Sequence, residues 1–202
     1  RAPRPTGRVI ELAQDDFYDG IIFHRVISDF VIQGGDPTGT GTGGSTLGDF
    51  DDQFHVDLQH NRAGLLSYAK STDDTNDSQF FVTLGATRHL DFNHSIFGIL
   101  TEGSHVLEAI GNTATTTGDR PTQDIVIDTV NIFSDVENGV AMLKAAEGAS
   151  GQANITVTVT DAQGHSVQDT FKVTVKPDTT ANGGANGGPF LQDIPPLTTP
   201  AG

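Results

Sequence analysis

Apolar and polar residues alternate with period two in several short stretches, at residues 21–27, 30–33, 65–69, 79–84, 96–100 and 125–133, so strands dominate the first two thirds of the chain. In the first stretch Phe23, Arg25 and Ile27 share a face, which puts a guanidinium among apolar neighbours. The next places Val31 with Gln33 on one face and Phe30 with Ile32 on the other, and Gly34-Gly35-Asp36-Pro37 ends it. Helical spacing is scarcer. Val9, Leu12 or Ala13, and Phe17 predict one short helix ending near Asp16 after an irregular stretch at 1–7. Ser104 opens a second, whose Val106, Leu107 and Ile110 share a face before Gly111 stops it. Between these elements, Phe54, Val56 and Leu58 alternate with acidic residues that belong on a solvated face, residues 70–77 form an exposed polar loop, and a Thr/Gly linker follows the second helix.

Beyond residue 133 the pattern changes. Residues 140–142, 155–160 and 171–175 alternate strictly, and Asp161-Ala-Gln-Gly164 supplies a turn between the last two. A hairpin cannot bury a core of its own, so this part needs a partner surface. Asn-Gly-Gly repeats and Pro195-Pro196 mark 178–202 as a linker or disordered tail. The chain therefore divides at 1–133, 134–177 and 178–202.

Composition narrows the function classes. With 24 Gly, 9 Pro and many Thr and Val, the chain lacks the make-up of a helical bundle. A formal charge of -15 leaves no basic stripe for phosphate, which excludes nucleic acid as a partner. No apolar run reaches the length of a membrane span, and without cysteine there are no disulfides or thiolate metal sites.

Several chemical motifs fail on inspection. Residues 39–44 formally satisfy G-x-G-x-x-G, yet Ser45-Thr46 stands where a phosphate loop needs Lys, and a turn-like segment follows in place of a helix. The run reads instead as a glycine loop that lets backbone approach a bound chain. Asp49, Asp51 and Asp52 lack the spacing of a calcium loop. The pairs His55/His60 and His89/His94 have no helical periodicity to make them zinc ligands. Ser, His and Asp are all present, but no serine sits in a G-x-S-x-G elbow. His24, on the face opposite Arg25, reads as a hydrogen-bonded structural histidine.

The blocks FHRVISDFVIQGGD, TGTGTGG, SQFFVTL and LDFNHSIFG, in this order, closely resemble the cyclophilin-type peptidyl-prolyl cis-trans isomerases over residues 15–133. The resemblance implies a mainly β, cyclophilin-like barrel with short helices, acting on X-Pro bonds of peptides and unfolded proteins without cofactor or metal. It also implies the roles. Arg25 matches the catalytic arginine, Phe30, Val31, Phe81 and Leu90 the proline pocket, His94 the pocket edge, and Gln33 the grip on substrate backbone. Ala69 and Lys70 match the segment that pairs with the peptide, although the family usually has an Ala-Asn-Ala-like run there. His89 stands where cyclosporin-sensitive members carry Trp. The family's first strands have no counterpart before Val9, so 125–133, its closing strand, is expected to lack a partner in a barrel that is incomplete as written. The 134–177 hairpin resembles the closing strands of an immunoglobulin-like or cadherin-like repeat, modules of large bacterial surface proteins, which points to a multidomain chain at an extracellular, cell-surface or periplasmic location. A non-catalytic peptide-binding or scaffold module using the same groove is the alternative, but a scaffold would need the pocket and not Arg25.

Overall fold

The computed structural model describes residues 1–135, 143, 145, 149–176 and 190–191. The chain forms two compact units, residues 1–140 and 141–202. The expected strand at 140–142 lies outside the described residues, as does the tail at 178–202 apart from 190–191.

Among the described residues, five short strands build the first unit: β1 Arg25–Ile27, β2 Val31–Gly34, β3 Leu65–Tyr68, β4 Phe80–Thr83 and β5 Ile96–Ile99. They form one antiparallel sheet in the order β1-β2-β4-β3-β5. Register decides which face each residue takes. Val26, Ile32 and Val82 stand side by side and meet Leu107 of helix α2, Ser104–Gly111, in a buried cluster. Leu66, Phe80 and Phe23 pack against that cluster, and aromatic edges carry it further, Phe80 meeting Tyr18, Phe23 and Phe97. The opposite face, one residue out of phase, carries Arg25, Gln33, Phe81 and Ser67.

Helix α1, Pro3–Gln14, starts earlier than its apolar spacing predicts. Proline is tolerated in a first turn because the amide it lacks has no intrahelical partner there, so Pro3 and Pro5 belong to the helix and not to an irregular arm. Pro5 is itself buried, its carbonyl accepting a bond from the Tyr68 hydroxyl at 3.2 Å. In α2 the expected face is narrower: Leu107 is buried while Val106 is 50% exposed.

Residues 125–133 do not form the long closing strand. Only a short part pairs, and with 20–23: Ile22 bridges Val126, Gly20 N–H donates to the Ile127 carbonyl, Phe23 N–H to that of Ile125, and Ile127 N–H to that of Ile21. The segment just before β1 thus supplies the partner expected from a missing strand. Beyond it Ile132 and Phe133 are exposed.

Two loops are more ordered than their composition predicts. Asp52 is expected on a solvated face and residues 70–77 in an exposed loop; residues 71–74 are exposed, but the side chains of Asp52 and Lys70 are buried and ion-paired, and Asn76, wholly buried, donates to the Phe50 carbonyl and to Asp52. Polar residues satisfied by one another can be buried, which alternation alone does not reveal.

The second unit holds β6 Gly151–Thr160 and β7 Ser166–Lys176, paired antiparallel along their length, with β8 Phe190–Leu191 beside β7. The turn is where its sequence placed it, the Asp161 carboxylate accepting from the amides of Gln163 and His165. Val159 and Val167 face each other and are largely exposed, while Val173 is buried.

Candidate functional site

Arg25, Gln33, Phe81 and Ser67 stand in one row across β1, β2, β4 and β3. Above this row lies a cleft of about 400 Å³. Its apolar end is a buried cluster of Val31, Phe81 and Leu90, with Phe30 and Ala69 packed against it. Strand alternation places Val31 and Phe81, the 3-10 turn Arg88–Leu90 delivers Leu90, and Phe30 projects from the turn between β1 and β2. His94 closes the rim edge-on to Phe81, with ring centroids 5.5 Å apart. Its Nδ1 lies 2.9 Å from the Tyr68 carbonyl, so this nitrogen carries the proton and Nε2 is the acceptor. Burial pushes the His94 pKa below that of a free imidazole, the Tyr68 carbonyl opposing.

The polar end is built on a different plan. Arg25 is partly exposed, with 41% of its side chain accessible, which corrects the expectation of a guanidinium enclosed by apolar neighbours. Its Nε lies 3.4 Å from Asp119 Oδ2, and its Nη1 donates to Gln33 Oε1 at 3.5 Å. Gln33 in turn donates to Gln79 Oε1 at 3.0 Å, and Gln79 donates to the carbonyls of Gly41 and Gly43. A chain of bonds therefore runs from Asp119 through the arginine to the glycine loop. That loop is wound round Asp36, 1% exposed, whose carboxylate accepts from the amides of Thr38, Thr40, Gly41 and Gly43. Burial alone would raise the Asp36 pKa, but a bond from the Thr38 hydroxyl at 2.8 Å, together with these amides, holds it down to about 2.

Gly41, at a φ of +86°, lies against the His24 ring; a side chain there would sit 3.6 Å from Cδ2. His24 is buried, lines the cleft, and has no hydrogen-bond partner for either ring nitrogen among the described residues, so it is not the hydrogen-bonded structural histidine its strand position predicted. Burial lowers its pKa, with Arg120 and Arg25 adding to the effect and Asp36 opposing it.

Nine of the ten residues expected at the site line this one cleft: Arg25, Phe30, Val31, Gln33, Ala69, Lys70, Phe81, Leu90 and His94. His89 is not in the wall; it stacks on Phe30 from outside, centroids 5.4 Å apart. The Lys70 ammonium is committed to Asp52 and Asp73; burial would lower its pKa, and these two carboxylates raise it. Sequence reasoning missed Gln79, Asp36 and Asp119. Gln79 shares the alternating face of Phe81, a signal that was there to use, and Asp36 precedes a run of glycine amides that need an acceptor. Asp119 lies in what reads as a linker, yet its carbonyl accepts from Val26 N–H and the adjacent Arg120 donates to the Gly39 carbonyl at 2.7 Å.

Among the described residues no group of three or more His, Cys, Asp or Glu side chains is placed to hold a metal ion, and no helix is long and apolar enough to cross a membrane. The arrangement is a cleft with an apolar cluster at one end and a partly exposed guanidinium at its edge.

The model of the family described as cyclophilin type peptidyl-prolyl cis-trans isomerase/CLD matches residues 1–132. Peptidyl-prolyl cis-trans isomerase ppi1 of Schizosaccharomyces pombe is 51% identical over 128 residues, 62% of this chain and 83% of that protein. Peptidyl-prolyl cis-trans isomerase A of Mycobacterium tuberculosis is 52% identical over 118 residues, 57% of this chain and 64% of that one. In structure, a cyclophilin type isomerase of Cryptosporidium parvum, crystallised in the presence of the dipeptide Ala-Pro, superposes with a TM-score of 0.64 at 36% identity, covering 66% of this chain and 87% of that one. The chain belongs to the cyclophilin-type peptidyl-prolyl cis-trans isomerases. It is an isomerase acting on X-Pro peptide bonds, its fold mainly β, with two α-helices among the described residues.

Proposed function

We propose that the cleft takes the proline ring of an extended peptide against Phe81, Val31 and Leu90, and that Arg25 carries the rate enhancement. The peptide bond resists rotation by ~18 to 20 kcal/mol because the nitrogen lone pair is shared with the carbonyl. In the twisted state that lone pair is localised and can accept a hydrogen bond. A guanidinium that donates to it binds the twisted amide better than the planar one, and only such differential binding lowers the barrier. No proton is transferred, so no acid-base pair is required. Gln33 and Ala69 hold the flanking backbone, and Phe30 and His94 wall the slot.

The observation that carries this reading is the placing of Arg25: its guanidinium lies between Asp119 and Gln33 and lines the same cleft as the apolar cluster of Val31, Phe81 and Leu90. The test is Arg25→Ala, assayed by protease-coupled isomerisation of an Ala-Pro peptide. Rates unchanged, with circular dichroism unchanged, would mean that isomerisation does not depend on Arg25 and would overturn its proposed role.

Proline-containing peptides and unfolded chains are the substrates proposed. For the organisation of the chain we propose an isomerase domain at 1–133, a β module at 134–177 and a linker beyond, within a larger extracellular or cell-surface protein. The support is the uncharged, strictly alternating β6, which pairs with β7 along its whole length in the manner of immunoglobulin-like strands. Fractionation of the producing cells, with antibody to this chain, tests the location; a purely cytosolic signal would refute it.

A further inference from the structure

Behind the slot lies a buried array that the isomerisation, as derived above, does not use. His60 is wholly buried, its Nδ1 3.3 Å from Asp91 Oδ1 and its Nε2 3.1 Å from Ser67 Oγ. With a carboxylate as acceptor, Nδ1 carries the proton and Nε2 accepts from the Ser67 hydroxyl. The order serine, histidine, aspartate is that of acyl-transfer enzymes, but Ser67 and His60 are both 0% exposed, so no substrate carbonyl reaches the hydroxyl. What remains is mechanical. Ser67 is the cross-strand partner of Phe81, Asp91 follows Leu90 in the chain, and the His60 ring stacks on the Phe81 ring with centroids 6.0 Å apart and planes at 24°. The His60 backbone joins in, its N–H donating to Asp91 Oδ1 and its carbonyl accepting from Thr87 N–H.

We propose that His60 is a positioning residue for isomerisation: it ties β3 to the 3-10 turn behind the slot, and so fixes the spacing between Phe81 and Leu90 that receives the proline ring. This rests on the assignment of Phe81 and Leu90 to the proline floor. Phe81 and Leu90 come from different elements, with no backbone bond between them among the described residues, and the imidazole spans the gap through their neighbours, bonding at once to Ser67, the cross-strand partner of Phe81, and to Asp91, which follows Leu90. Its flat face, set nearly parallel to Phe81, blocks that ring from swinging back. Contacts to the floor are shared by the planar and twisted substrate, so a loosened floor weakens binding more than it slows the bound step.

The test uses the whole chain with three changes. His60→Phe keeps a flat ring under Phe81 and removes both side-chain bonds; His60→Gln keeps a donor and an acceptor without the ring; Phe81→Ala removes the floor itself. Peptide dissociation constants come from titration, and bound-state exchange rates from NMR line shapes, each taken well below the variant's melting temperature. For His60→Phe the expected result is about tenfold weaker peptide binding with the bound exchange rate changed by less than about threefold, and His60→Gln should recover most of the affinity. A merely structural role would lower the melting temperature of His60→Phe without this split. A folded His60→Phe that binds as the parent does, while Phe81→Ala does not, overturns the role of His60; unchanged binding in Phe81→Ala would instead overturn the floor assignment. If His60→Phe does not fold, Ser67→Ala, which removes one end of the tie, carries the same test: affinity about threefold weaker supports the proposal, and unchanged affinity overturns it.

Discussion

The two ends of the cleft are built from different materials. At the apolar end, Val31, Phe81 and Leu90 are at most 9% exposed and belong to the core as much as to the site. At the polar end, Arg25 and Asp119 are each about two-fifths exposed and paired with each other, while Gln79 and Arg120 donate to the carbonyls of the glycine loop. Binding and stability are therefore inseparable at one end and separable at the other. Exposed ion pairs contribute ~0 to 1 kcal/mol, so Arg25 and Asp119 can be altered with little loss of fold.

The largest expected effect comes from breaking the apolar end. Phe81→Ala should cost ~3 to 5 kcal/mol of unfolding free energy, the usual range for deleting a buried aromatic ring, and peptide affinity should fall with it. Urea unfolding and peptide titration measure the two. If stability held while binding vanished, the floor would be a surface feature and the contrast between the ends would fail.

Arg25→Ala should do the reverse. Loss of a donor aimed at a transition-state charge costs on the order of 100-fold in rate, or ~2.7 kcal/mol, while the midpoint of unfolding should move little. Isomerisation kinetics beside a urea titration decide it. A variant that lost stability as much as Phe81→Ala would show the arginine to be structural.

Asp36 tests the frame of the polar end. Its pKa is depressed from 3.8 to about 2, so it binds fewer protons in the folded state. The stability it contributes is complete above pH ~3.8 and is lost as pH falls through about 2, because the unfolded chain takes the proton first. Asp36→Asn should lower stability at neutral pH by ~1 to 3 kcal/mol, since one amide oxygen replaces a carboxylate that accepts from four backbone amides. Stability of the variant should also depend less on pH between 3.8 and 2. An unaltered slope in acid titration would assign the effect to another carboxylate. His24, His60 and His94 add a second window with the same sign, their pKa values all lowered by burial. Each favours the folded state above the unfolded value near 6.5 and loses that preference as pH falls below it.

How far the sequence reaches divides along the same line. Period two sufficed for the strands of the apolar end because packing there follows alternation: Val31 was legible on one face with Gln33, and the family motif gathered Val31, Phe81, Leu90 and His94 into one pocket. The polar end depends on long-range bonds between loops, which have no period. Asp119 and Arg120 read as linker, and only folding brings them 81 or more residues back to Gly39 and Arg25. Lys70 and Asp52 read as solvated for the same reason, each being buried only because the other is. The expected closing strand at 125–133 failed on another point: three residues with β-branched or apolar alternation found strand partners in 20–23, Val130 instead packs on the Leu12, Ala13, Tyr18 and Ile21 cluster and donates its N–H to Asp19 Oδ1, and Phe133 is 80% exposed. Alternation reports the capacity to pair; a partner within reach decides whether pairing occurs.

The smallest expected effect lies at the joint between the two ends. Gln33 stands beside Phe81 in register, yet its amide belongs to the polar relay, accepting from Arg25 at 3.5 Å and donating to Gln79 at 3.0 Å. A backbone grip is shared by planar and twisted substrate, so Gln33→Ala should weaken peptide binding by about three- to tenfold, or ~0.7 to 1.4 kcal/mol, and should change the bound exchange rate by less. Some loss of rate is expected because Arg25 keeps Asp119 but loses its second anchor. The measurement is the ratio of the two effects, from titration and from exchange within the complex. A Gln33→Ala variant whose bound rate fell as far as that of Arg25→Ala, with affinity intact, would mean that the glutamine's work is to aim the guanidinium, and that the polar end acts as one unit from Asp119 to the glycine loop.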